Sequence, residues 1–320
     1  MYELTPATYP KPDENPVNCY LSTLGSKDSR RSMVCALQTI AEIATGGRCD
    51  AFSLPWHRLK PQHTAAIRAQ LAERYSPATT NHALTALRSV LKQCWRLGLI
   101  DVETRSRCCD LPPVKGETLP RGRMLTTGEI RALFEACAND HTPAGRRDAA
   151  VIAVLAGGGL RRSELVSLDL SDFNPEIGAL TVRAGKGGKG RISYATNGAL
   201  YAVEEWLEVR GVEPGPLFCP VNKGRKITLR RMTSQSVYNA MQKRGAEADL
   251  QAFSPHDLRR TFASELLDRG ADTSLVQKLM GHSSPQVTVK YDRRPEQAKR
   301  TAAELLHLPF VHHRDPQSKE

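Results

Sequence analysis

The eight cysteines (Cys19, Cys35, Cys49, Cys94, Cys108, Cys109, Cys137 and Cys219) form no CxxC pair and show no Cys/His ligand spacing. A structural zinc site and a disulfide framework are therefore both disfavoured. Several of the cysteines fall inside helical patterns, where buried thiols are common, and the expected compartment is reducing. No apolar run approaches the ~18 residues a bilayer span requires. The first residues, MYELTPATYPKPDENP, lack the basic-then-apolar layout of a signal peptide. Gly185-Lys186-Gly187-Gly188-Lys189-Gly190 is followed by Arg191-Ile192 where a P-loop needs Lys and Ser or Thr, so an ATPase is disfavoured. No carboxylate cluster suited to Mg²⁺, no internal repeat and no low-complexity tract stands out.

What the chain does have is positive charge: 45 Lys and Arg against 34 Asp and Glu, a formal net charge of +11. Such an excess suits a polyanion, because each basic side chain that neutralises a phosphate releases condensed counterions. It also suits simple solubility, so charge alone does not decide. The excess is shared, with 14 basic against 10 acidic residues in 1–112 and 31 against 24 in 113–320. Neither half is a basic tail.

With 320 residues, two domains are the natural expectation. Residues 1–16 are rich in proline and polar groups and are expected to lack fixed structure. From 17 to 107 the pattern is helical, with helices over 29–45 and 62–74 and the clearest over 76–97. There Ser76 can cap, Pro77 suits the first position, and Leu84, Leu87, Val90, Leu91, Cys94 and Leu97 recur at spacings of three and four. This reads as a small all-α bundle. Prolines and glycines mark 108–123 as a linker. A second domain, 124–309, opens on the capping box Thr126-x-x-Glu129. It continues through an apolar helix at 147–156, the turn Gly157-Gly158-Gly159, a β-hairpin over 178–195 and further helices. Residues 310–320 are expected to form a flexible tail. The expected class is mainly α, with the second domain mixed and carrying a small antiparallel sheet.

Four stretches could carry chemistry. Arg161, after the glycine turn, can project a guanidinium able to clamp two phosphate oxygens. Lys186 sits at the hairpin tip. In Ser254-Pro255-His256-Asp257-Leu258-Arg259, the His256 and Arg259 side chains share one face near a helix N-terminus, where an anion is favoured. Gly281 closes a helix over 272–280, His282 falls in the corner, and Tyr291 follows nine residues later on the next helix. Taken singly, each also fits an ordinary cap, a solvated turn, or a half-buried tyrosine.

Their order is more specific. The series G-L-R-x-S-E-L, hairpin G-K-G, H-D-L-R, L-M-G-H and then tyrosine resembles the tyrosine recombinase family, phage-integrase and Xer-like, over about 124–303. The helical region ahead of it is similar to that family's SAM-like core-binding domain. The resemblance implies six catalytic positions: Arg161, Lys186, His256, Arg259, His282 and the nucleophile Tyr291. Lys189 is the alternative lysine, and Glu164 matches a structural acidic position. It implies no cofactor or metal, duplex DNA bearing a specific recombination site as partner, and a tetramer in the synaptic complex. Accessory DNA-bending proteins or a partner recombinase, a cytoplasmic, nucleoid-associated location and no membrane also follow. The insertion 213–232 is basic and is either a loop near DNA or a solvated surface. Glu304, Leu305, Leu306 and Leu308 continue a helix that in this family docks on a neighbouring protomer or packs on its own domain. A type IB topoisomerase and a non-catalytic DNA-binding protein are the competing readings.

Overall fold

The computed structural model describes residues 4–116, 122–183 and 190–281, with Ala303 and Leu305. The chain divides into two compact units, Met1–Arg121 and Gly122–Glu320. As the sequence patterns predict, both are mainly helical, and the second carries a small antiparallel sheet. Among the described residues no helix is long and apolar enough to cross a membrane.

The first unit contains α1 (Pro16–Ser22), α2 (Lys27–Thr45), α3 (Pro61–Arg74), α4 (Pro77–Arg96) and α5 (Val102–Cys109). Helix α4 starts where Ser76 Oγ accepts from the Thr79 N–H and Pro77 supplies a preset φ. Leu84, Leu87, Val90, Leu91 and Cys94 are fully buried along it, each large aliphatic side chain contributing roughly 1.5–3 kcal/mol. The other four helices of this unit pack around α4. Helix α2 stops at Gly46, whose φ of +65° is a left-handed conformation that glycine adopts without strain.

Two features differ from expectation. Residues 4–16 are not loose: Leu4 is buried in the first core, the Ala7 N–H donates to Ser53 O, and Asn15 caps α1. One apolar side chain with a nonlocal slot anchors a segment whose composition suggests disorder. The first core also extends past 107, because Cys108 and Leu111 are buried in it. The chain leaves that core after Leu111, while Arg68 and Asn81 bind the backbone at Pro112 and Val114.

The second unit is built on α7 (Pro143–Gly157), buried along Ala150–Leu155 and packed against α6 (Thr127–Ala138), α9 (Gly198–Arg210), α10 (Ser234–Glu247) and α11 (Pro255–Asp268). The predicted capping box opens α6: Thr126 Oγ1 accepts from Glu129 N–H, and Glu129 accepts from Thr126 N–H. After α8 (Arg162–Ser167) the sheet runs in order β1 (Phe173–Asn174), β2 (Ala179–Val182) and β3 (Arg191–Tyr194), all antiparallel. Helix α12 (Thr273–Met280) follows α11, and Gly281 closes it with a φ of +59°.

Candidate active site

The glycine turn after α7 creates the first wall. Gly159 has a φ of +61°, and a Cβ there would lie 2.3 Å from Phe262 Cδ1. Any larger residue would be strained and would also strike the α11 side chain. The turn aims the Gly159 carbonyl at α11, where it accepts from Arg259 Nη1. Arg161 follows as the residue that starts α8.

Glu164 is the node of the site. Its side chain is 3% exposed. Its Oε2 accepts from the Arg161 backbone N–H at 2.8 Å, and its Oε1 accepts from Arg161 Nη1 at 2.6 Å. Arg191, at the start of β3, grips both oxygens, with Nη1 at 2.9 Å from Oε1 and Nη2 at 2.8 Å from Oε2. Arg259 Nη1 lies 3.9 Å from Oε2. Burial alone would push the carboxyl upward; the Arg191 hydrogen bonds, then the Arg161 backbone donor and the Arg191 charge, outweigh it and hold the pKa at about 2.

Opposite Glu164, the same three arginines meet the end of α12. Its last carbonyls have no partner within the helix. Arg191 Nε donates to Leu279 O at 2.8 Å, Arg259 Nη2 to Met280 O, and Arg161 Nη2 to Gly281 O at 3.0 Å. Three successive carbonyls thus each take a different guanidinium, an arrangement the helix dipole also favours.

His256 lies in the first turn of α11, which begins where Asp257 accepts from the Ser254 N–H and hydroxyl. The residue retains solvent access, yet partial burial and then the charges of Arg259 and Arg260 lower its pKa below 6.5, against an opposing pull from Asp257 and with a last, smaller push from Arg161. The imidazole is therefore neutral at neutral pH. Arg161 is 27% exposed and Arg259 only 2%, which places one guanidinium at the surface and the other at the floor.

Of the six positions singled out in the sequence, Arg161, His256 and Arg259 come together here. Lys186, with its alternative Lys189, and His282 and Tyr291 lie outside the described residues. Sequence reasoning missed Arg191, and alternation alone would give the inward register to the apolar Ile192 and Tyr194. On β3 the apolar Ile192 and Tyr194 face outward while Arg191 and Ser193 face inward, so the charged residue occupies the buried register. The 213–232 segment forms a tight turn in which Asn222 N–H donates to Lys226 O and Val221 bridges Ile227. Lys223, Arg225, Lys226 and Arg230 are exposed on it, and Arg231, also exposed, donates to Val166 O, Leu168 O and Asp169.

Known proteins resemble this chain in sequence and in fold. The model of the phage integrase family matches residues 123–297. The tyrosine recombinase XerA of Pyrococcus furiosus is 32% identical over 237 residues, 74% of this chain and 77% of that protein. The tyrosine recombinase XerD of Pseudomonas aeruginosa is 34% identical over 228 residues, 69% and 73% of the two chains. A XerH site-specific recombinase bound to palindromic difH substrate shares the fold, with a TM-score of 0.66 at 22% identity over 87% of this chain and 79% of that one. So does a lambda integrase dimer bound to a COC′ core site, with a TM-score of 0.64 at 15% identity over 89% and 77%. Read with the Glu164-centred arginine cluster, these matches show that the chain belongs to the phage integrase family and is a tyrosine recombinase enzyme.

Proposed function

We propose that this chain cuts and rejoins duplex DNA at a specific recombination site through a 3′-phosphotyrosyl intermediate on Tyr291. The observation that carries the reading is the convergence of Arg161 and Arg259 on Glu164 and the end of α12, with His256 inside their field. A phosphodiester in transfer concentrates negative charge on its non-bridging oxygens. Two guanidiniums arriving from different helices stabilise that charge without reorganising. His282, directly after Gly281, adds a donor.

The Tyr291 hydroxyl attacks phosphorus, and the bond to the 5′ oxygen breaks as the tyrosyl–phosphorus bond forms. A phenol with a pKa of about 10 needs help to ionise at neutral pH, and neutral His256 is the base. The departing 5′ oxygen takes a proton from Lys186, with Lys189 as the alternative. One phosphodiester replaces another, so rejoining requires no ATP. Relatives of the same fold include a lambda integrase tetramer bound to a Holliday junction; for this chain we infer four protomers on two sites, exchanging strands in pairs through such a junction. Accessory DNA-bending proteins or a partner recombinase fit the same scheme.

A nicked suicide substrate tests the reading. In EDTA and without nucleotide, unsubstituted protein should trap a covalent adduct on a denaturing gel, and peptide mapping should place it on Tyr291. An adduct that needs a divalent cation, or that maps elsewhere, would overturn the assignment.

The base role has its own signature. Because the His256 pKa lies below 6.5, the neutral form dominates at pH 7, and kcat/KM for cleavage should fall only as pH drops below that value. This parameter reports the free enzyme. In His256→Gln the acid limb should vanish along with most of the rate. An unchanged limb would assign it to another group.

A further inference from the structure

We infer that Arg191 is a positioning residue for strand transfer, holding Glu164 and the end of α12 so that Arg161 and Arg259 stay available to the phosphate. The inference rests on the covalent-transfer reading above and adds to it a residue outside the six matched positions.

The argument begins with competition. A buried carboxylate beside Arg161 is itself a strong guanidinium ligand and would contend with a phosphate for the same donors. In this site Arg191 occupies both oxygens of Glu164, which leaves Arg161 with one side-chain hydrogen bond to that carboxylate and a second to Gly281 O. Charge follows the same logic. Glu164 with Arg161, Arg191 and Arg259 carries a formal charge of +2, whereas without Arg191 only +1 would face the scissile phosphate. A bidentate guanidinium fixes a carboxylate's plane as well as its charge, so the donors on the clamp side keep one orientation.

Arg191 also couples elements distant in sequence. Its Nε holds Leu279 O, one residue before the carbonyl that Arg259 binds and two before the one Arg161 binds. A Cβ at Gly281 would meet Arg191 Cδ and Nη1 at 3.0 Å, so the side chain packs directly on the residue after which His282 begins. Its side chain is 10% exposed and is engaged by these protein partners, which separates it from a DNA-contacting arginine. β3, α8 and α12 therefore meet at one guanidinium. Misplacing reacting groups by about 1 Å can cost on the order of 10²-fold in rate.

The test compares Arg191→Met with the unsubstituted chain in single-turnover cleavage of the suicide substrate. Cleavage should slow by about 10²-fold, while the Kd for the same duplex changes by no more than about threefold and thermal melting remains cooperative. A second substrate carries sulfur in place of the bridging 5′ oxygen. A thiolate leaves without a proton, because thiol pKa values are near 8.5. That substrate should relieve Lys186→Ala but leave Arg191→Met slow, because the inferred defect lies in the clamp. Arg191→Lys, which can hold one carboxylate oxygen but cannot grip both and Leu279 O together, should recover part of the rate. Arg191→Met cleaving within a few-fold of normal would overturn the inference, as would relief by the sulfur substrate. If Arg191→Met fails to fold, Arg191→Lys decides: a folded chain with full rate refutes it, and a folded, slowed chain supports it. Absence of adduct from the unsubstituted chain would instead defeat the recombinase reading itself.

Discussion

Incubated with a nicked substrate, the Tyr291→Phe chain is expected to yield no covalent adduct, and the Arg259→Ala chain to form one at least ~10²–10³-fold more slowly. Both should bind the same duplex with near-normal affinity. The two losses have different origins. Phenylalanine keeps the ring and removes only the attacking oxygen, so no phosphotyrosyl bond can form at any time. Arg259→Ala leaves the nucleophile intact but removes a donor from the floor of the site, raising the barrier to transfer. Affinity should change little, because one guanidinium is a small part of a phosphate footprint shared along the duplex, and losing it lowers the salt slope of binding by about one. Arg259 also bonds to Gly159 O and Met280 O, so the melting curve must accompany the rate. If Arg259→Ala lost DNA binding and cooperative melting together, the arginine would be a structural strut and not part of the clamp. If Tyr291→Phe gave the same adduct as the unsubstituted chain, Tyr291 would not be the nucleophile.

Much of this architecture is legible in the sequence because its determinants are local. Ser76-Pro77, Thr126 with Glu129, and Gly281 mark helix ends by chemistry within a few residues of the boundary, and the alternation around the Gly/Lys turn marks the β2–β3 hairpin. The order of Arg161, His256 and Arg259 is likewise readable, and the fold brings those three together. What was not legible depends on distant partners. Leu4 is ordered by a slot in the first core that no neighbour in sequence announces. Arg231 sits in a run that looks solvated but satisfies carbonyls more than sixty residues away. Arg191 is the sharpest case: beside a glycine-rich tip it reads as one more exposed cation. Only the pairing of β3 with β2, and the arrival of α8 and α12 beneath it, turns that cation into the partner of Glu164.

The same nonlocal logic sets where the second unit is most vulnerable. Arg244 on α10 is 1% exposed, yet its Nε reaches Asp148 Oδ2 at 2.9 Å, its Nη2 reaches Asp140 Oδ2 at 2.6 Å and its Nη1 reaches Glu247 Oε2 at 2.8 Å. Asp148, on α7, also accepts from Arg147 Nε at 2.9 Å and Nη2 at 2.7 Å. Burial opposes charging Asp140, but the Arg244 and Thr142 hydrogen bonds prevail and hold its carboxyl well below the usual range. The network ties α10 to α7, and α7 is the helix against which α11, with His256 and Arg259, packs. Removing one partner of a buried ion pair strands the others without solvent, so Asp148→Ala should cost about 3–5 kcal/mol. In a domain of this size that corresponds to a drop in Tm of roughly 10 °C. The double replacement Asp148→Leu with Arg244→Met should recover only part of the loss, because the two apolar side chains need no counter-charge while Arg147 and Asp140 still lose a partner. A loss below about 1 kcal/mol in Asp148→Ala would mean that water reaches the network and screens it as it does surface pairs. Full loss in the double variant would mean that the charges themselves, through their directed hydrogen bonds, fix how α10 seats on α7.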